Sequence, residues 1–318
     1  PLRRQRQMCI RDRSKRFQID EENSNNRIDI FLANNLDAIS RGIVQQLISQ
    51  GNVTVNGKLT KRNYLLKAAD LIEITFELKA DCKDEAQDIP IDITFENDDF
   101  FVINKNSGLT VHPGAGQKDN TLINGILYIR KEQRDIPRYG LVHRLDKDTT
   151  GVMIIPFNEY SHWKIADQFK ARSIQKEYIA LTWGEWIEEE GVIKNKLSRS
   201  KKNSIKFKSS KDGRTAYSKF KLISNGKYFS SINFFPKTGR THQIRVHCQY
   251  SGMPIVGDVK YGDIFFNKTM VEFGIKRMFL HASKLKFKHP EQDFFIDVTA
   301  PLPVDLKNGL ELLNDEKE

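Results

Sequence analysis

In GLVHRLDKDTTGVMII, residues 140–155, a histidine, an arginine and an aspartate stand close together as His143, Arg144 and Asp146. Gly140 and Gly151 bound the polar part of this stretch, and GVMII beyond it has the composition of a buried strand. The polar groups therefore sit in a loop braced by a sheet, the usual place for displayed functional side chains. Asp146 lies beside apolar Leu145 and between the cations Arg144 and Lys147. Taken alone, such an aspartate reads as a structural ion-pair partner rather than a catalytic carboxylate. Tyr178 in QKEYIALTWG is, by default, a core residue of a strand, and His112 reads as a turn-stabilising side chain rather than a metal ligand. The seven histidines and three cysteines (Cys9, Cys82 and Cys248) show no zinc spacing, and no Walker or dinucleotide loop is present. No metal and no cofactor are expected.

Four segments, taken in order, carry a resemblance. HRLDKDTTG resembles HRLDxxTSG, the motif that holds the catalytic aspartate of RluA-type pseudouridine synthases, with Thr150 where serine is usual. VINKNSGLTVHPGAG, residues 102–116, resembles that family's NKPxGLxVHPG, with Asn106 in place of proline. QKEYIALTWG, residues 175–184, resembles its K-x-Y-x-A-x-x-x-G strand, and KTGRTHQIRVH, residues 237–247, matches TGRxHQIRVH. FLHASKLKFKHP, residues 279–290, resembles a closing strand pair rather than a site. The resemblance implies an isomerase that converts uridine to pseudouridine in RNA without a cofactor. It implies Asp146 as the catalytic carboxylate, Arg245 as its partner, Tyr178 stacked on the target base, and Arg144 filling the gap left by the flipped base. DIPRYGLVHRLDKDTTG is most similar to the RluD branch, which implies large-subunit ribosomal RNA, or a pre-ribosomal particle, as substrate. Two alternatives stand beside this reading: a tRNA-directed member of the family, and a catalytically silent RNA-binding factor of ribosome assembly. The second has no use for Asp146, Tyr178 and Arg245 together.

Positioning these groups requires strands. Between residues 91 and 305, runs such as FFVIN, GVMIIPF, YIALTW, YFSSINFF and FFIDVTA outnumber the candidate helices at 120–130, 159–171 and 240–250. The expected fold class is α+β, a large mixed and mostly antiparallel sheet. The run KNKLSRSKKNSIKFKSSKDGR, residues 194–214, lies between two strands and contains Asp212 as its one acid. It reads as a hairpin that grips phosphates, Lys201 and Lys202 among its cations.

Residues 23–76 read as a separate small unit. Ile28, Phe31, Leu32 and Leu36 share one helical face, Ser40 is placed to cap a second helix, and Gly51 ends that helix. Short strands follow around the turn Asn56-Gly57. The pattern Arg27, Asp29, Ser40, Arg41 and Val53 to Gly57 resembles the αL-type RNA-binding module first known from a ribosomal small-subunit protein. That resemblance implies RNA contacts at Arg27, Arg41 and Lys58. Residues 1–22 read as a disordered basic leader, 77–90 as a linker, 91–305 as the catalytic domain and 306–318 as an acidic tail.

The whole-chain balance agrees. Lys and Arg number 51 against 41 Asp and Glu, a net charge of +10 that favours polyanionic partners. No run of about 18 apolar residues exists to span a membrane. The sparse cysteines suit a reducing compartment, so a cytoplasmic monomer is expected.

Overall fold

The computed structural model describes residues 12–36, 41–77, 85–114, 117–200, 206–226 and 228–315. The chain forms two compact units, Pro1–Cys82 and Lys83–Glu318.

The first unit contains β1 (Asp12–Gln18), α1 (Ile28–Asn35), α2 (Arg41–Ser49), β2 (Val53–Val55), β3 (Lys58–Leu59) and β4 (Leu71–Glu77). Its strands are ordered β1-β4-β2-β3. Ile28, Phe31, Leu32, Leu36, Val44, Leu47 and Ile48 are buried together against Val53, Val55, Ile72 and Ile74. The helical face read from the sequence is thus the core of this unit, while Ser40 lies outside the described residues. The expected disordered leader is corrected in part, because residues 12–18 pair along β4 from Asp12↔Glu77 to Gln18↔Leu71. The sequence of β1 is too polar to signal a strand. Its backbone is satisfied by an existing sheet edge, Phe17 meets Phe31 edge-on at 5.7 Å, and Ile19 is buried.

The second unit contains β5 (Ile93–Glu96), β6 (Phe100–Lys105), α3 (Leu122–Ile129), β7 (Thr150–Pro156), α4 (Glu159–Ala171), β8 (Gln175–Trp183) and β9 (Glu190–Arg199). It continues through β10 (Phe207–Ser209), β11 (Arg214–Asn225), β12 (Phe229–Pro236), α5 (Gln243–Tyr250), α6 (Ile264–Glu272), β13 (Leu280–Lys288), β14 (Phe295–Thr299) and α7 (Val304–Asp315). The ten strands form one sheet, β10-β9-β11-β12-β8-β13-β7-β6-β5, with β14 also on β13. Among its described pairings only β13 with β7 is parallel. The fold is α+β on a mixed, mostly antiparallel sheet, as expected.

Two boundaries differ from expectation. Residues 85–90, read as linker, lie along α3: the Gln87 amide donates to the Asn124 carbonyl at 3.0 Å, and Asn124 Nδ2 donates to the Glu85 carbonyl at 2.8 Å. The expected acidic tail is helical through Asp315, with Leu306 buried near Met270, Ile275 and Phe279. Leu306 and Leu310, four apart on one helical face, both pack into that cluster and outweigh the neighbouring acids. The basic run at 194–214 is the β9–β10–β11 hairpin region, and Lys201 and Lys202 lie outside the described residues. Among the described residues no helix is long and apolar enough to cross a membrane.

Candidate active site

The loop that carries Asp146 is held at both ends by backbone that only glycine tolerates well. Gly140 has φ +81°, and a Cβ there would run into Gln133 and the Pro156 carbonyl. Gly151 has φ +116° and sits against the Ala282 backbone, where β7 meets β13. Inside the loop, Lys105 at the end of β6 is buried, and its Nζ donates to the carbonyls of Asn106, Leu109 and Lys147 at 2.7, 2.9 and 2.9 Å. Burial pulls this ammonium down to about 7, although the charges of Asp148 and Asp146 oppose the shift. His143 is a brace rather than a reactant. Its Nε2 accepts the Ile154 amide at 3.1 Å, its ring stacks on Phe169, and burial, then Lys176, pushes it down to about 3. The hydroxyl at Thr150, where serine is usual, hydrogen-bonds His281 Nδ1 at 2.9 Å. His281 Nε2 faces the Ala300 carbonyl at 3.0 Å, which can only accept, so Nδ1 accepts from Thr150.

From this loop Asp146 faces a cavity of about 110 Å³ whose lining includes Arg144, Tyr178, His242 and Arg245. The structure therefore brings together all three residues expected to be catalytic, and Arg144 with them. Arg245, from α5, is 3% exposed and donates from Nη1 to Asp146 Oδ2 at 3.1 Å. Its planar fork, however, is engaged elsewhere: Nε and Nη2 donate to the two oxygens of Asp258 at 2.7 and 2.8 Å. Asp146 is thus the partly accessible carboxylate, held by one N–H of Arg245, and Asp258 the fully buried one, held by two. Burial works against charge on Arg245, but Asp258 and then Asp146 outweigh it and hold the guanidinium protonated. Burial likewise opposes ionisation of Asp258, and is overcome by Arg245 and the amides of Lys260 and Tyr261. The result is one guanidinium between two carboxyl groups, of which Asp146 is the one that faces the cavity.

Tyr178 lies on β8 and lines the same cavity. Burial, and then the charge of Asp146, pushes its phenol up, so it is present as an O–H donor. His242 sits at φ +55° before α5, with Nε2 3.9 Å from Asp146 Oδ2 and Nδ1 2.7 Å from the Tyr261 hydroxyl. Tyr261 in turn accepts the Phe207 amide at 2.8 Å. The turn before α5 is tied by Gln243, which accepts from Thr238 Oγ1 and the Arg240 amide at 2.7 and 3.0 Å.

Sequence reasoning missed Asp258, Lys105, His242 and Tyr261. A signal for Asp258 did exist. A buried arginine needs a counter-ion, and Asp258 is the sole acid between Arg245 and Asp263.

Comparison with known proteins agrees with this geometry. Residues 99–250 match the model of the RNA pseudouridylate synthase family, and residues 26–72 match the S4 domain. The ribosomal large subunit pseudouridine synthase C of Vibrio parahaemolyticus is 34% identical over 312 residues, which cover 95% of this chain and 97% of that protein. The chain belongs to the RNA pseudouridine synthases. The ribosomal large subunit pseudouridine synthase D of Buchnera aphidicola is 35% identical over 297 residues, 91% of this synthase and 93% of that one. A solved structure, human RNA Pseudouridylate Synthase Domain Containing 1, is similar with a TM-score of 0.55 at 25% identity, covering 69% of this chain and 86% of that one. The synthase is accordingly an isomerase that acts on RNA.

In the S4 unit, two of the expected RNA contacts also have structural partners. Asp29 is buried and binds Arg27 Nε at 3.0 Å and Arg41 Nη2 at 2.9 Å, with Gln45 Nε2 at 2.6 Å. Burial would raise this carboxyl, yet Arg27, Gln45 and Arg41 bring it down to about 2. Both arginines remain partly exposed, and Arg27 lines a surface hollow with Lys61 and Arg62. Lys58 is exposed on β3.

Proposed function

We propose that this synthase isomerises specific uridines of large-subunit ribosomal RNA, with Asp146 as the essential carboxylate. The observation that carries the chemistry is the asymmetric sharing of Arg245. Asp258 anchors the guanidinium, which leaves Asp146 oriented by a single N–H and open to the cavity. Isomerisation breaks the N1–C1′ bond, rotates the uracil, joins C5 to C1′, and exchanges a proton at C5 for one at N1. An ionised carboxylate serves either opening step, attack at C1′ or removal of the 2′ proton. Tyr178 packs against the base and supplies an O–H beside it. Arg144, exposed at the rim, is placed to enter the stack that the flipped base leaves.

The substrate class rests on two supports: the S4 unit with its exposed cations, and relatives named for the large ribosomal subunit. Relatives carrying the C and D names match at 34% and 35%, so identity alone does not separate these branches. A monomer acting in the cytoplasm is proposed, the compartment being supported by the sparse cysteines, three in 318 residues. Adduct sequencing of pseudouridine in total RNA, with and without the protein, tests the reading. Sites confined to large-subunit rRNA are expected. Sites confined to tRNA would move the assignment to the tRNA-directed alternative.

A further inference from the structure

A second cavity, about 380 Å³, adjoins the first and shares Arg144, Tyr178 and Arg240 with it. Six cations line it: Arg144, Lys170, Arg172, Lys176, Lys237 and Arg240. Its lining includes no acidic residue, and none of the six has an ion pair with a carboxylate among the described residues. This is an unusual way to leave charge in a protein that carries 41 acids. A merely solvated basic face does not enclose its cations, whereas here Lys176 and Arg240 are half-buried.

Three local features concentrate the charge at one point. Lys176 and Tyr178 are two apart on β8, hence on the same face, so the lysine stands directly beside the residue assigned to the base. Arg172 caps α4 in the left-handed region at φ +60°, a conformation that disfavours a side chain, and the exposed residue has no core packing to offset it. Arg240 donates Nε to the Thr215 carbonyl at 3.2 Å, which fixes the stem of the guanidinium. The cations feel one another: burial, then Arg172, pulls Lys176 down to about 8, and burial, then Arg172 and Arg214, lowers Arg240. The neutral side of the groove is the His143 ring stacked on Phe169 at 4.6 Å. Such an arrangement is frustrated until an anion enters.

We propose that this groove is a phosphate subsite that holds a backbone phosphate of the RNA strand next to the target nucleotide, through Lys176, Arg172 and Arg240. The proposal rests on the reading of this chain as a pseudouridine synthase. Its continuity with the Asp146 cavity fixes which phosphate is meant: one flanking the base that enters that cavity, not one in a distant helix. Phosphate contacts position a strand without reading its sequence. The subsite therefore contributes register, setting which nucleotide of a loop reaches Asp146.

The test uses the full chain and a short rRNA hairpin in which the wild-type protein forms pseudouridine. Single phosphates flanking the target are replaced, one at a time, by neutral methylphosphonates on a 2′-deoxy sugar, against phosphodiester controls carrying the same sugar. Wild-type affinity is expected to fall about tenfold at one flanking linkage and little at the others. Lys176→Gln with Arg172→Gln should bind the control RNA more weakly and lose the discrimination at that linkage. Its salt slope should also be smaller by about one. Arg240→Gln serves as a second, single-site variant should the double variant be unstable. A flat scan on a hairpin that is still converted overturns the subsite alone, and leaves the groove to some other acidic partner. Discrimination that persists in the variants overturns the residue assignment. A protein that forms no pseudouridine in any rRNA overturns the functional reading and the subsite with it.

Discussion

The Arg245 guanidinium must satisfy two carboxylates, and it does so unequally. Its fork is spent on Asp258 and a single N–H is left for Asp146. The family resemblance implied the pair of Asp146 with Arg245 but not the third member, Asp258, which lies in a separate loop after α5. Arg245→Lys keeps the charge but cannot reproduce a fork and a third bond at once. The expected outcome is a loss of about 3 kcal/mol of stability, from a buried Asp258 left half-paired, together with a saturating rate lowered about a hundredfold or more. Denaturant unfolding and single-turnover kinetics at saturating enzyme measure the two separately. Asp258→Asn should likewise slow the saturating rate, although Asp258 touches no substrate, because Arg245 is then free to reorient. A normal rate in Asp258→Asn would show that its anchoring is dispensable. Thr150 is the reverse case: Thr150→Ser keeps the hydroxyl that binds His281 and should be near neutral, whereas Thr150→Val strands a buried imidazole nitrogen and costs about 1–3 kcal/mol. Thermal unfolding of the two variants checks this, and equal stability would contradict it.

Among the elements, α1 and α2 are joined through Asp29, which turns their relative placement into a titratable property. Its carboxyl, at about 2, lies below the ordinary 3.8. A depressed carboxylate contributes stability that is fully present above about pH 4 and is lost as pH falls toward 2, about 2 kcal/mol in all. Hydrogen-exchange protection of the α1 and α2 amides, compared between wild type and Asp29→Asn, should differ at pH 5 and converge near pH 2. A difference that does not change with pH would mean that Asp29 acts by packing alone. Much at this scale was legible. Helical and alternating periods placed α1, α3, α4, α5 and the central strands, since those elements bury one face against a core. β1 and α7 were not legible. One is a polar edge strand recruited by an existing sheet, and the other is an acidic helix anchored by Leu306 and by the Arg277–Asp305 pair at 2.7 Å. In both, tertiary contacts decide a conformation that local composition does not signal. Lys105 was invisible for a related reason: a buried ammonium donating to three loop carbonyls looks, in sequence, like any lysine that ends a strand. Lys105→Met should leave those carbonyls without a donor and destabilise the large unit by about 3 kcal/mol.

Across the whole molecule, both units carry exposed cations suited to RNA phosphates. The order of motifs along the chain made the catalytic unit readable, because three segments distant in sequence converge on one cavity and a fourth, 102–116, braces the Asp146 loop through Lys105. The excess of ten positive charges gave only the class of partner. The central claim is that this protein converts uridine to pseudouridine through Asp146. It is tested most directly with an rRNA fragment labelled with tritium at C5 of uridine, since isomerisation must release that hydrogen to water. Wild type and Asp146→Asn are each mixed in excess over RNA, and released tritium is followed alongside RNA affinity. The wild type is expected to release one tritium for each target uridine, and Asp146→Asn none at near-equal affinity. Release by Asp146→Asn at the wild-type rate would contradict the account.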